Sequence, residues 1–133
     1  MRTVLLIRHA ESTGNRYDRH LFGSEGAPLS GLGQSQAREL GQKLEEHGID
    51  MYQRVATSEL IRTQQTAQLA GFENRIVYSS LNEIRHGLDR ETIENLIKQK
   101  KVTPAALNAA RKILHNPPTE YIWFTHGMLI AAI

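Results

Sequence analysis

Four consecutive apolar residues, Val4-Leu5-Leu6-Ile7, run straight into Arg8-His9, and no other stretch constrains the fold as much. An unbroken apolar run of this kind reads as a strand buried on both faces of a parallel sheet. Such a strand delivers the residues after it to the carboxyl edge of the sheet, where open α/β folds place their ligands. Here those residues are a guanidinium beside an imidazole, then small polar side chains ending in Gly14-Asn15. A permanently charged planar donor next to a nitrogen nucleophile suits a phosphoryl group.

The rest of the chain alternates strand and helix signals, with no internal repeat and no low-complexity linker. Residues 10–30 carry Gly14, Gly23, Gly26 and Pro28 and read as a long loop, the kind that tends to be functional. Ser30 stands where a helix N-cap belongs, Ala37, Leu40 and Leu44 come after it at helical spacing, and Gly48 is a stop. Arg54 to Thr57 reads as a second buried strand. Ser58 and Glu59 begin a helix whose apolar members are Ile61, Ala67 and Leu69, ending at Gly71. Arg75 to Tyr78 is a weaker third strand, and residues 79–88 form a second loop. Residues 89–116 read as two helices split at Thr103-Pro104, a cap followed by an N1 proline. Tyr121 to Thr125 is the last strand, and Gly127 to Ile133 starts a final helix. This order predicts one α/β domain over 1–133, a three-layer α/β/α sandwich around a mostly parallel sheet.

Composition permits such a domain and narrows its chemistry. At 133 residues, with 40% hydrophobic and 23% charged residues, the chain can bury a core. No apolar run approaches the roughly 20 residues that span a bilayer, and no signal peptide is visible. The expectation is a cytoplasmic protein with no membrane contact. Absence of cysteine rules out disulfides and thiolate zinc sites. The net charge of +2 is weak, and Lys98-Gln99-Lys100-Lys101 reads as a solvated helix end, so nucleic acid is not expected as a partner.

Polar groups recur just after the expected strands: Arg8 and His9, then Arg62 one helical turn on, then Glu83, then His126. A parallel sheet brings them to one edge. Two arginines can hold phosphoryl oxygens, one imidazole can attack, a second can donate, and a carboxyl group can protonate the leaving oxygen. Arg8-His9-Ala10-Glu11-Ser12 with Gly14-Asn15 resembles the first signature of the histidine phosphatase superfamily, also called phosphoglycerate mutase-like. Ser58-x-Leu60-x-Arg62-Thr63-x-Gln65-Thr66-Ala67 is similar to its second motif, and Thr125-His126-Gly127 to its third.

The resemblance implies that His9 is the nucleophile that becomes a phosphohistidine and that Glu83 is the proton donor. Arg8, Arg62 and His126 would complete the phosphate pocket, Asn15 would add a phosphate contact, and Ser12 would contact substrate. It implies a histidine acid phosphatase-type phosphomonoesterase acting on a small phosphorylated metabolite, without metal or cofactor. Mutase-type phosphoryl transfer and a non-catalytic phosphate-binding module are the alternatives. Arg85 and His86 lie beside Glu83, but the spacing differs by a residue from that of the mutases, and no role carries over. His20, His47 and His115 read as surface or helix residues. Gly23-Ser24-Glu25-Gly26 reads equally as a loop closing over substrate and as a turn. Family members usually continue past the third motif through a full helix and at least one more strand. This chain stops about two turns into that helix, so a C-terminally short variant or a piece of a longer chain is expected. Met128, Leu129, Ile130 and Ile133 would then leave apolar sheet uncovered, a face over which two copies would pair as a homodimer.

Overall fold

The computed structural model describes residues 3–13, 26–83, 98–99, 101–102 and 104–133. The first of the two helices expected in 89–116, and the cap at Thr103, lie outside them. Strand β1 spans Leu5–Arg8, β2 Val55–Thr57, β3 Arg75–Val77 and β4 Ile122–Thr125. All pair in parallel in the order β1-β4-β2-β3, with Arg8 opposite Thr125 and Thr57 opposite both Phe124 and Val77. The sheet is therefore the parallel one that the β-branched runs predict, and its carboxyl ends are aligned within a residue or two.

Side-chain alternation along the strands separates two apolar layers. Ile7, Val55, Ile122 and Phe124 face one side, where they meet Ala67 and Ala70. Those alanines belong to α2 (Ile61–Ala70), and Leu40 and Leu44 of α1 (Gly31–Glu46) close the layer. Phe72 meets Phe124 edge-on, with ring centroids 5.8 Å apart. On the other side Ala56 and Trp123 pack with Leu81, Ile113 and Leu129. Ile113 lies on α3 (Pro104–His115), which opens on its N1 proline as expected, and Leu129 on α4 (Gly127–Ala132). Met128 and Leu129 are fully buried, so this short helix does cover sheet; apolar side chains stay exposed at Leu5 of β1, Val77 of β3 and Ile133, at 39%, 48% and 37%.

Ser30 caps α1, its Oγ accepting the Gly33 N–H at 3.0 Å. Substituting such a cap costs about 1 kcal/mol. The same hydroxyl donates to the Glu11 carboxylate at 2.9 Å, so the cap also fastens the loop behind β1. Two expectations for α2 need correction. The helix begins at Ile61 with Leu60 as its N-cap, not at Ser58. Its buried face is Thr63, Thr66, Ala67 and Ala70, with Ile61 and Leu69 only half-buried. Buried hydroxyls replace buried methyls there because that face is turned toward the carboxyl edge of the sheet. No helix among the described residues is long and apolar enough to cross a membrane.

Candidate active site

Each strand ends beside one element of the site. His9 comes directly after β1, His126 after β4, Ser58 and then Arg62 after β2, and Glu83 after β3 and a 3-10 turn at Ser79–Leu81. His9 is nearly buried and lies face-tilted to His126, with ring centroids 5.2 Å apart. Its backbone N–H continues the β1–β4 ladder to the Thr125 carbonyl at 3.1 Å. Its Nδ1 is 2.7 Å from the Ala10 carbonyl oxygen, which can only accept, so Nδ1 carries the proton. Nε2 is then the nitrogen with the lone pair, and Arg62 Nε–H donates to it at 3.3 Å.

Arg62 reaches Glu83 as well, Nη2 lying 3.8 Å from Oε2. The same carboxylate oxygen is 3.6 Å from His126 Nδ1. Glu83 thus lies within 4 Å of both the Arg62 guanidinium and the His126 imidazole. His126 has no solvent exposure, and burial, then the charges of Arg62, His9 and Arg8, push its pKa down to about 2. It is a neutral imidazole at any ordinary pH. Its Nδ1 is buried with no hydrogen-bond partner among the described residues, while its Nε2 lies 3.1 Å from Ser58 Oγ. Arg8 is exposed on β1, yet its charge is felt at His126.

The five groups that the sequence singled out for chemistry, Arg8, His9, Arg62, Glu83 and His126, therefore converge. Ser12 is buried in an isolated bridge opposite Leu29. Asn15, His20, Arg85, His86 and residues 23–25 lie outside the described residues. His47 and His115 are exposed on helix ends, and Lys98, Gln99 and Lys101 are exposed too.

Polar side chains to which the sequence assigns no role hold this arrangement. Thr66 Oγ1 accepts the Ala10 N–H at 3.0 Å and donates to the Arg62 carbonyl at 2.7 Å, tying the segment after His9 to α2. Gln65 accepts the Leu29 N–H and Gln36 the Glu11 N–H. Thr125 donates to the Leu81 carbonyl at 2.7 Å, and Asn82 exchanges hydrogen bonds with Glu59 at 2.7 and 2.8 Å; together they fix the segment that carries Glu83. Gly26, at φ +76°, lets the backbone pass against Arg62, where a Cβ would collide with Nη1. Gln65 and Thr66 sit inside the second motif and Thr125 inside the third, but nothing in their spacing reveals which backbone group each holds.

The arrangement is one that could bind a phosphoryl group between cations and present Nε2 of His9 to phosphorus. Arginines among the histidines oppose a metal cation at the same place.

Known proteins share both sequence and fold with this chain. The profile described as "Histidine phosphatase superfamily (branch 1)" matches residues 4–122. The probable phosphoglycerate mutase GpmB of Photorhabdus laumondii is 33% identical over 106 residues, which is 76% of this chain and 47% of that protein. The chain thus spans less than half the length of that relative. The Mycobacterium tuberculosis open reading frame product Rv3214 superposes with a TM-score of 0.67 at 26% identity, over 99% of this chain and 78% of that one. A phosphoserine phosphatase mutant from Entamoeba histolytica, solved in complex with phosphoserine, shares the fold at a TM-score of 0.62 and 20% identity, over 98% and 76% of the two chains.

Proposed function

Because the chain belongs to the histidine phosphatase superfamily, branch 1, we propose that it hydrolyses phosphate monoesters of small metabolites through a phosphohistidine on His9. One observation carries this reading above the others. His9 Nδ1 is engaged by the Ala10 carbonyl, so the nucleophilic Nε2 faces the cluster formed by Arg62, His126 and Glu83. Nε2 attacks phosphorus in line, the P–O ester bond breaks, and the Glu83 carboxyl gives its proton to the departing oxygen. The carboxylate then takes a proton from water, which attacks phosphorus and breaks the P–N bond. Inorganic phosphate leaves and His9 is restored. Arg62, Arg8 and His126 hold the equatorial oxygens throughout, with Asn15 and Ser12 as further contacts to the phosphoryl group and substrate.

Nothing in these steps calls for a metal or cofactor. Only 38 residues separate Glu83 from Ile122, the start of β4, too few for the large insertions with which a mutase shields its phosphohistidine from water. A mutase reading rests on the names of curated relatives that the chain resembles. Incorporation of solvent oxygen into released phosphate separates the two, since a mutase returns the phosphoryl group to an organic hydroxyl. We further read the chain as cytoplasmic, its N-terminal apolar run being used as β1.

A chromogenic phosphate ester assayed with wild type and His9→Ala tests the catalytic claim. Wild type is expected to turn over in EDTA, with His9→Ala reduced to background. Equal rates for the two proteins would contradict it, and loss of wild-type turnover in EDTA with recovery on one added metal would overturn the metal-free mechanism.

A further inference from the structure

Behind His126, on the side away from the pocket, stands a buried hydroxyl pair. Ser58 has no solvent exposure, and its Oγ lies 3.1 Å from His126 Nε2 and 2.7 Å from Thr63 Oγ1. The same oxygen accepts the Leu60 N–H at 3.2 Å. A hydroxyl has one proton and two lone pairs, and Leu60 fills one lone pair. The Ser58 proton therefore goes either to Thr63 or to His126, and the choice sets where the single proton of the neutral imidazole sits.

If Ser58 donates to Thr63, His126 Nε2 must carry the proton, and Nδ1 offers a lone pair. That nitrogen is buried, has no hydrogen-bond partner among the described residues and lies 3.6 Å from Glu83 Oε2. A lone pair turned toward the oxygens of a bound phosphoryl anion, and toward Glu83 whenever that group is ionised, is repelled by both. An N–H at the same place is attracted by both. The favoured direction thus runs the other way. Thr63 Oγ1, which has the Leu60 and Ser58 carbonyls at 2.9 and 3.3 Å as competing acceptors, then donates to the nearer Ser58 Oγ at 2.7 Å, Ser58 donates to Nε2, and Nδ1 is left protonated toward the pocket.

We propose that Ser58 is a positioning residue that holds His126 as the Nδ1–H tautomer by donating its hydroxyl proton to Nε2. The consequence for function rests on the phosphatase reading: only this tautomer makes His126 a hydrogen-bond donor to the transferring phosphoryl group. Ser58 touches no substrate atom and acts entirely through the imidazole.

The test is the nitrogen-15 spectrum of the His126 ring, recorded on the labelled protein with and without inorganic phosphate. Wild type is expected to show Nδ1 as the protonated nitrogen in both states. Ser58→Ala is expected to shift the population toward Nε2–H and to lower kcat/KM roughly 10- to 100-fold, the scale on which a partner orienting an active-site histidine acts. Ser58→Thr, which keeps the hydroxyl, is expected to retain the wild-type tautomer and recover most of the rate. Nε2–H in the wild type would overturn the proposal, as would a Ser58→Ala spectrum unchanged from wild type. The wild-type spectrum decides the tautomer even if Ser58→Ala fails to fold. An Nδ1–H spectrum in a protein that hydrolyses no ester would sustain the tautomer assignment and overturn the phosphatase reading alone.

Discussion

His126 is the side chain whose environment departs most from water. Burial, together with the charges of Arg62, His9 and Arg8, lowers its pKa to about 2, whereas in the unfolded chain it titrates near 6.5. Between those values the unfolded state binds a proton that the folded state refuses, so this histidine makes stability fall as pH drops below about 6.5. The slope approaches about 1.4 kcal/mol per pH unit once the unfolded histidine is fully protonated. Denaturant unfolding from pH 7 to pH 4 is expected to show a shallower loss for His126→Gln than for wild type. Parallel curves would show that His126 is not held neutral. At this scale the sequence was informative where charge and strand ends coincide: Arg8, His9, Arg62, Glu83 and His126 each end or follow a strand, the last four in a chain of contacts and Arg8 through its charge on His126. The hydroxyls were not legible. From sequence Ser58 reads only as the first residue of a helix. Its hydroxyl does accept the Leu60 N–H, but the helix begins later and the same oxygen also reaches His126, a partner 68 residues away.

At the scale of elements, α1 and α2 cross closely enough that a Cβ on Gly41 would collide with the Ala70 backbone carbonyl. The contact matters to the site, because α2 carries Arg62 and Thr66 while α1 is capped by the Ser30 that holds Glu11. Gly41→Ala should force the helices apart and cost about 1–3 kcal/mol, the usual penalty for overpacking. Gly31→Ala adds a methyl to the same helix where nothing lies within 4 Å, and should be neutral or slightly stabilising. Equal midpoints for the two variants would contradict this account. The helix and strand order was readable because apolar periodicity reports it directly. The polar interior of α2 was not, since Thr63 and Thr66 are buried for their hydrogen bonds and leave no apolar stripe.

Across the whole molecule, the parallel sheet divides labour between its two ends. The carboxyl ends hold the candidate site, while Glu120, just before β4, anchors the other end. It accepts from Tyr78 at 2.7 Å, Arg54 at 2.9 Å and Thr119 at 3.1 Å. Burial raises its pKa, but the hydrogen bonds from Tyr78, its own backbone, Arg54 and Thr119 outweigh that and hold it below 4.5. Its stabilisation is therefore present above the unfolded value and lost as pH falls through the lowered one. Tyr78→Phe should cost about 1–3 kcal/mol at neutral pH and leave turnover unaltered, as unfolding midpoints and ester assays on one preparation would show; an unchanged midpoint would remove the anchor from the account. The fold class was readable from alternation and strand character. The anchor was not, because a carboxylate, a phenol and a guanidinium spread over residues 54–120 carry no local pattern. The central claim is that His9 itself takes the phosphoryl group. Wild type mixed with a phosphate ester, quenched in alkali and mapped by mass spectrometry, should carry phosphate on the His9 peptide, acid-labile and absent from His9→Ala. Turnover with phosphate on another residue, or with no covalent phosphate during a burst, would contradict it.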